Sequence, residues 1–458
     1  MFASFKVNYR FVCLLFLFTG YVVIVWRNDQ QVFGWAQIAQ SRIRVAMRYD
    51  RDTINTMYRV DRTPATLTES KKIILVWEPY FGVLNKDPYE CEGCLLTFDQ
   101  SAIKQADAVV FHFAEILDSG ENLPWQDRHR EQRWVWFSEE PPTRVRNVFH
   151  KTLTPLNGVF NWTMSYRTDS DILYPYMVPY QPSERTVAEL IAHKTTKALG
   201  AWAVSNCYPS IRRQYITELS KYIPIDIYGR CSGKPLCREP ECFAKILSKY
   251  KFYFAFENSK CKDYISEKFW EKALGSRAVP VVMGTDRKDY ELIAPPNSFI
   301  HIDDFDSPQS LANYLKKLDE DDDLYGEYLR WASATESGGN WATNLSNVEA
   351  LKKMGARGLV ENKLHNSTSG FCAICKKLRQ DLPENVEIVE NLDRWWYGVD
   401  YDVTVETFSV CSSEGPGGRN YRRWVTLGYT LILWVAAGII WLICSRSGKC
   451  FQSIGNTS

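Results

Sequence analysis

From residue 71 onward, short apolar runs alternate with stretches of helical pattern, and this alternation limits the possible folds more than any other feature. In a first series, residues 73–77, 108–113 and 134–137 are predicted buried strands, each closing in a polar or proline-containing loop. Residues 181–199 read as a linker and helix leading out of that series. In a second series, strands predicted at 201–204, 225–228, 252–256, 279–283 and 299–302 are interleaved with helices at 211–222, 266–274 and 310–318. Strand and helix in alternation, with short connections, imply parallel sheets flanked by helices. Two such series joined by a linker imply an α/β protein with two Rossmann-like domains facing a cleft. Its ligand is expected beyond the carboxyl ends of the strands. Neither GxGxxG nor GxxxxGK[ST] occurs, so the standard dinucleotide site and the P-loop are both excluded.

Two segments have the length and polarity of membrane spans. Residues 11–26, FVCLLFLFTGYVVIVW, carry no charge and are flanked by Lys6, Arg10 and Arg27. As helix they rise about 24 Å, a short span suited to a thin early-secretory bilayer. No small-x-small site follows, so an uncleaved signal anchor is expected rather than a cleaved signal peptide. Residues 424–444, WVTLGYTLILWVAAGIIWLIC, form an uncharged stretch of full transmembrane length between Arg423 and Arg446. With a cytosolic N-terminus, the body between the spans is lumenal. A net charge of +1 in 458 residues supplies no field for a nucleic-acid partner.

Thirteen cysteines are present, and Cys13, Cys444 and Cys450 lie in or beyond the apolar segments. The ten that remain form an even set, as disulfides in an oxidising compartment require. Two CxxC pairs, Cys91/Cys94 and Cys372/Cys375, are disulfide candidates; a four-thiolate zinc site is the competing reading. Sequons at Asn161, Asn344 and Asn366 are expected to be glycosylated if the body is lumenal.

Chemistry concentrates in residues 251–284, KFYFAFENSKCKDYISEKFWEKALGSRAVPVVMG. A buried strand delivers Glu257-Asn258-Ser259 to its carboxyl end, and a loop leads to Ser266-Glu267-Lys268 at a helix start. A helix N-terminus beside a lysine is a natural diphosphate site. A capped surface helix carrying a solvated charge pair is the simpler alternative. The acidic run at 319–323 resembles a metal motif in composition but reads as a solvated helix end.

The same stretch closely resembles the signature of the α1,3-fucosyltransferase family, in which a strand, an F-E-N-S turn and a Y-[TS]-E-K helix start bind GDP-fucose. The resemblance extends over residues 71–377. It includes AWAVSNC at 201–207 followed by Arg213, DIYGRC at 226–231, RWVWFSEEPP at 133–142, NWTMSYRTDSD at 161–171 and CAIC at 372–375. It implies two domains of the GT-B type and inverting transfer of fucose from GDP-β-L-fucose to the 3-hydroxyl of a GlcNAc in a glycoprotein glycan. The Golgi membrane is the implied location. Arg213 and Lys268 become cations on the diphosphate, while Glu257, Asn258, Tyr264, Glu267, Ser205, Asn206 and Tyr228 line the donor pocket. Glu140 takes the place of the acceptor-side carboxylate. Glu139 precedes it where the family often has an apolar residue, so two carboxylates compete for that role; successive strand residues point oppositely, which favours Glu140. Tyr176 is an expected acceptor contact. No metal is implied as a requirement, and a divalent ion would at most stimulate.

These readings map the chain as cytosolic tail (1–10), signal anchor (11–26), stem (27–70), acceptor-side domain (71–198), GDP-fucose domain (199–345), disulfide-containing region (346–423), second span (424–444) and tail (445–458). The loop at 231–243, CSGKPLCREPECF, resembles members that act on the innermost GlcNAc of N-glycans more than those acting on antennal LacNAc. Two competing functions follow. One is a related transferase using another nucleotide sugar; the other is a catalytically silent homologue serving as a Golgi scaffold.

Overall fold

A computed structural model describes residues 71–78, 88–91, 93–118, 123–144, 152–177, 182–207, 210–235, 237, 240–336, 367–381, 386–398 and 411. The chain falls into two compact units, residues 1–66 with 124–130, and 67–123 with 131–458. Residues 124–130 contain a single 3-10 turn, Trp125–Asp127, with the Arg128 guanidinium 5.9 Å from the Trp125 ring centroid. All that follows concerns the larger unit.

Its first sheet is built from β1 (Lys72–Val76), β2 (Tyr89–Cys91), β3 (Cys94–Thr97), β4 (Ala108–His112), β5 (Arg133–Ser138), β6 (Trp162–Ser165) and β7 (Ile172–Leu173), in the order β2-β3-β1-β4-β5-β6-β7. Every described pairing is parallel except β2 with β3. The second sheet is parallel throughout. It contains β8 (Gly200–Ala203), β9 (Ile225–Tyr228), β10 (Phe252–Phe256), β11 (Val279–Met283) and β12 (Ile300–His301), in the order β12-β11-β10-β8-β9. Central parallel strands are covered on both faces and so read as unbroken apolar runs. β10, FYFAF, and β11, VPVVM, are buried at every residue. The expected two-sheet α/β architecture is thus present, and the strands predicted at 225–228, 252–256 and 279–283 have the observed limits.

The short strands β2, β3, β6 and β7 escape the sequence reading, because two to four residues carry too little periodicity to announce a strand. The helix expected from residue 266 begins two residues later. It is π-helical over Lys268–Leu274, with Gly275 N donating to Trp270 O at 3.0 Å and Ala278 N to Ala273 O at 3.1 Å. Single π turns of this kind recur at functional sites.

The C-terminal part returns to the first sheet. Helix Ser367–Gln380 packs Phe371, Ala373, Ile374 and Leu378 with Ile74, Val76, Val135 and Phe137 in one buried cluster. A Cys94–Cys375 disulfide, 281 residues apart in sequence, joins that helix to β3, and Cys372 is also disulfide-bonded. The two CxxC pairs are therefore spatial neighbours, a proximity that their separation along the chain conceals. The side chain of Cys91 lies outside the described residues.

One predicted modification site is buried. Asn161 is 3% exposed; its Oδ1 accepts from Trp134 N at 2.8 Å and its Nδ2 donates to Glu387 O at 2.8 Å. An amide buried to this extent leaves no room beside it for a glycan in the folded chain. Asn344, Asn366 and both predicted spans lie outside the described residues. Among the described residues, no helix is long and apolar enough to cross a membrane.

A disulfide closing so long a loop is worth roughly 2–5 kcal/mol. Cys94→Ser and Cys375→Ser should each lower stability to that extent in urea unfolding. The double variant should lose no more than either single one, since both remove the same crosslink.

Candidate active site

Because β5 and β10 each run parallel to both of their neighbours, the carboxyl ends of those strands deliver the functional residues to one edge of each sheet. β10 ends in Glu257, whose backbone N donates to Met283 O at 2.7 Å and whose side chain is fully buried. Ser266 N and Ser266 Oγ both donate to Glu257 Oε1 at 2.8 Å, and Ser266 Oγ is also 2.8 Å from Oε2. Lys268 Nζ sits 3.1 Å from Glu257 Oε2, 3.3 Å from Glu267 Oε1 and 2.7 Å from Ser266 Oγ. Lys272 closes the group, 3.5 Å from Glu267 Oε1. Ser266 therefore organises a buried carboxylate, while its Oγ also accepts from Lys268 N at 3.4 Å at the helix start. The carboxylates of Glu257 and Glu267 hold the Lys268 ammonium above the ordinary lysine range against the opposing effect of burial. Glu267, itself strongly desolvated, is held well below the usual carboxylate range by Lys268 and Lys272. Glu257, expected on the donor, is fully buried here and lies against Lys268, whose side chain is 15% exposed, while Glu267 and Lys272 are 33% and 23% exposed.

The opposing wall comes from β5. Glu139 and Glu140 follow its last residue and are half-buried. Burial raises the Glu140 carboxyl, with Arg144 and Lys268 opposing the shift, Glu267 adding to it and a hydrogen bond from Asn258 opposing it. Its Oε2 is buried and has no hydrogen-bond partner among the described residues. Glu139 is pushed up to about 7 by burial and by the neighbouring charges of Glu140 and Glu267. Lys268, after β10, thus lies within electrostatic reach of Glu140, after β5, although the two are far apart in sequence.

Aromatic side chains bridge the two walls. Tyr176 Oη donates to Glu139 O at 2.7 Å, and the Tyr176 ring lies 6.0 Å from that of Tyr264. Tyr264 is buried, 5.0 Å from Tyr166 on its other side.

The remaining predicted residues are more dispersed. Arg213 is exposed, with its guanidinium 3.5 Å from Cys207 O. Its neighbour Arg212 is 2% exposed and donates to Phe256 O at 3.1 Å and Asn206 O at 2.6 Å, beneath Glu257. The sequence held the signal that this arginine faces inward: Arg212, Tyr215, Ile216 and Leu219 share one face of helix Ser210–Leu219, and all four are buried. Ser205 is exposed, and its carbonyl accepts from Arg230 Nε at 3.1 Å. A Cys207–Cys231 disulfide ties the loop after β8 to the turn after β9, and Cys237 pairs with Cys242. Tyr228 shares a 2.6 Å hydroxyl contact with Tyr250, which donates to Asp226 Oδ2 at 2.6 Å, while Lys234 lies 4.4 Å from the Tyr228 ring centroid. Among the described residues, no cluster of His, Cys, Asp and Glu could hold a metal ion.

A cation held by carboxylates on one wall and a carboxylate pair on the other, each at strand ends, supply a base for a hydroxyl and a positive charge for a departing anion. The family "Glycosyltransferase family 10 (fucosyltransferase) C-term" matches residues 192–395, and "Fucosyltransferase, N-terminal" matches residues 69–177. A 3-galactosyl-N-acetylglucosaminide 4-alpha-L-fucosyltransferase of Pongo pygmaeus is 38% identical over 349 residues, covering 74% of this chain and 83% of its own. A 4-galactosyl-N-acetylglucosaminide 3-alpha-L-fucosyltransferase of Homo sapiens is 46% identical over 283 residues, covering 60% and 73%. The crystal structure of an alpha1,3-fucosyltransferase with GDP superposes over 68% of this chain and 98% of that one, at 15% identity and a TM-score of 0.41. The chain belongs to glycosyltransferase family 10 and is a fucosyltransferase.

Removing one partner of a buried ion pair strands the other charge and costs about 3–5 kcal/mol. Lys268→Met should therefore lower the unfolding midpoint sharply, and adding Glu257→Gln should recover part of the loss. The acid side of the rate profile follows from the carboxylates. With Glu139 pushed up to about 7, the pair holds a proton below neutrality, so kcat/KM should fall as pH drops through 7. Glu139→Gln removes a like charge beside Glu140, so a pH–rate profile should show the acid limb displaced to lower pH.

Proposed function

We propose that this enzyme transfers L-fucose from GDP-β-L-fucose to the 3-hydroxyl of N-acetylglucosamine in a glycoprotein glycan, with inversion at the anomeric carbon. Glu140 is the base: its unpartnered Oε2 takes the hydroxyl proton as the acceptor oxygen attacks the anomeric carbon. The bond from that carbon to the diphosphate oxygen breaks, and GDP departs with the electron pair. Lys268 carries the charge that develops on the diphosphate, pre-set by Glu257 and Ser266 so that no reorganisation is needed at the moment of reaction. Arg213, at the exposed end of the same edge, is a second contact for the phosphates, while Asn258, Tyr264 and Tyr176 flank the reacting sugar. The observation that carries the reading is the buried, unpartnered Oε2 of Glu140 after β5, on a carboxyl whose upward shift the Lys268 charge opposes.

The compared relatives are named for galactosyl-N-acetylglucosaminides, which supports an antennal galactosyl-GlcNAc acceptor. The loop between Cys231 and Cys242 supports a second reading, the innermost GlcNAc of N-glycans. The Golgi lumen is the proposed site of action, consistent with disulfides at Cys94–Cys375, Cys207–Cys231, Cys237–Cys242 and Cys261–Cys411.

Glycan mass spectrometry of expressing cells should show fucose on antennal GlcNAc; fucose confined to the core would move the acceptor to the second reading. GDP-mannose and UDP-sugars should not replace GDP-fucose in vitro. Glu140→Gln should cost about 10²–10⁴ in kcat. Chelation should lower activity only modestly, whereas complete loss reversed by metal would overturn the charge assignment to Lys268.

A further inference from the structure

The loop from Asn258 to Asp263 connects the donor strand β10 to Ser266 and Lys268, and it is tied down at both ends of its length. On the side of the second sheet, Lys260 Nζ lies 3.2 Å from Asp286 and 3.5 Å from Asp303, and Cys261 is in a disulfide with Cys411. Toward the first sheet it makes two polar contacts. Ser259 Oγ meets Thr143 Oγ1, three residues beyond Glu140. Asp263 Oδ2 accepts from Thr168 N at 3.0 Å and from Thr168 Oγ1 at 2.8 Å, and both residues are buried.

Asp263 stands out for a second reason. Its φ is +63°, the left-handed region that disfavours a side chain, and glycine would fit there without strain. A carboxylate is nevertheless present, and both hydrogen bonds reach the turn that follows β6. Immediately after it, Tyr264 enters between Tyr166 and Tyr176, and Tyr176 holds the carbonyl of Glu139. Two residues further on, Ser266 begins the network that orients Lys268. A short path of contacts therefore runs from the base wall to the phosphate wall, and the Asp263–Thr168 pair is the buried, doubly hydrogen-bonded polar link beside the single Ser259–Thr143 contact.

We propose that Asp263 is a positioning residue for fucosyl transfer, setting the separation and register of the Glu140 wall against the Lys268 wall through Thr168. The donor half retains its own internal contacts when this link is removed, so binding of GDP persists while alignment for attack is lost. The role rests on the transfer reading above, and wild-type turnover of GDP-fucose decides that reading before any variant is compared. Asp263→Gly keeps the backbone conformation and deletes the carboxylate; Thr168→Val deletes the hydroxyl donor; Thr168→Ser retains it.

In the full-length enzyme, Asp263→Gly should lower kcat about 10- to 100-fold, the scale of a small misalignment of reacting groups. Its affinity for GDP, measured by isothermal titration calorimetry, should stay within about threefold of wild type. Thr168→Val should shift kcat the same way but less, Thr168→Ser should stay near wild type, and the double Asp263→Gly/Thr168→Val variant should be no worse than Asp263→Gly alone. Unchanged kcat in Asp263→Gly, loss of GDP affinity in parallel with kcat, or additive effects in the double variant would each overturn the role. If Asp263→Gly does not fold, Thr168→Val against Thr168→Ser carries the same test.

Discussion

The buried Glu257 carboxylate is the interaction on which the site depends. A charge with no exposure is tolerated only when paired and hydrogen-bonded, and here Ser266 and Lys268 meet both needs. The consequence runs in both directions. Lys268 is held charged and in place, and the loop between β10 and the π-helical turn must close so that Ser266 can reach back nine residues. The five consecutive buried residues of β10 supply the rigid platform from which Glu257 projects.

Around that centre the two walls have different characters. The donor side is built from charge compensation, in which Lys268, Glu267 and Lys272 satisfy one another at short range. The acceptor side is built from frustration, in which burial raises two successive carboxyls and the charge of Glu140 raises Glu139 further. Perturbed carboxylates and a paired cation facing across a cleft are what acid–base and charge-stabilising chemistry need. Structural ion pairs elsewhere, such as Arg133 with Asp381 at 2.5 Å, instead join residues 248 positions apart in the chain.

Much of this was legible in the sequence because the determinants are local. Buried parallel strands announce themselves as apolar runs, and the F-E-N-S and S-E-K elements sit within a dozen residues of one another. Other features depend on direction more than identity. Arg213 matched a motif, yet the helix turns Arg212 inward, a distinction that the apolar spacing at 215, 216 and 219 could have settled. Asn161 satisfied a sequon while its amide was committed to Trp134 and Glu387, a partner more than two hundred residues away.

The sequence alone determined the class of fold and the family, because strand periodicity and a contiguous motif are properties of neighbours along the chain. Tertiary structure decided which cysteines meet, which arginine faces the sheet, that Glu257 serves Lys268 and not solvent, and that Asp263 reaches Thr168. Each of these depends on how one element is rotated and placed against another. Burial and long-range hydrogen bonding set that placement, and neither is written in local spacing.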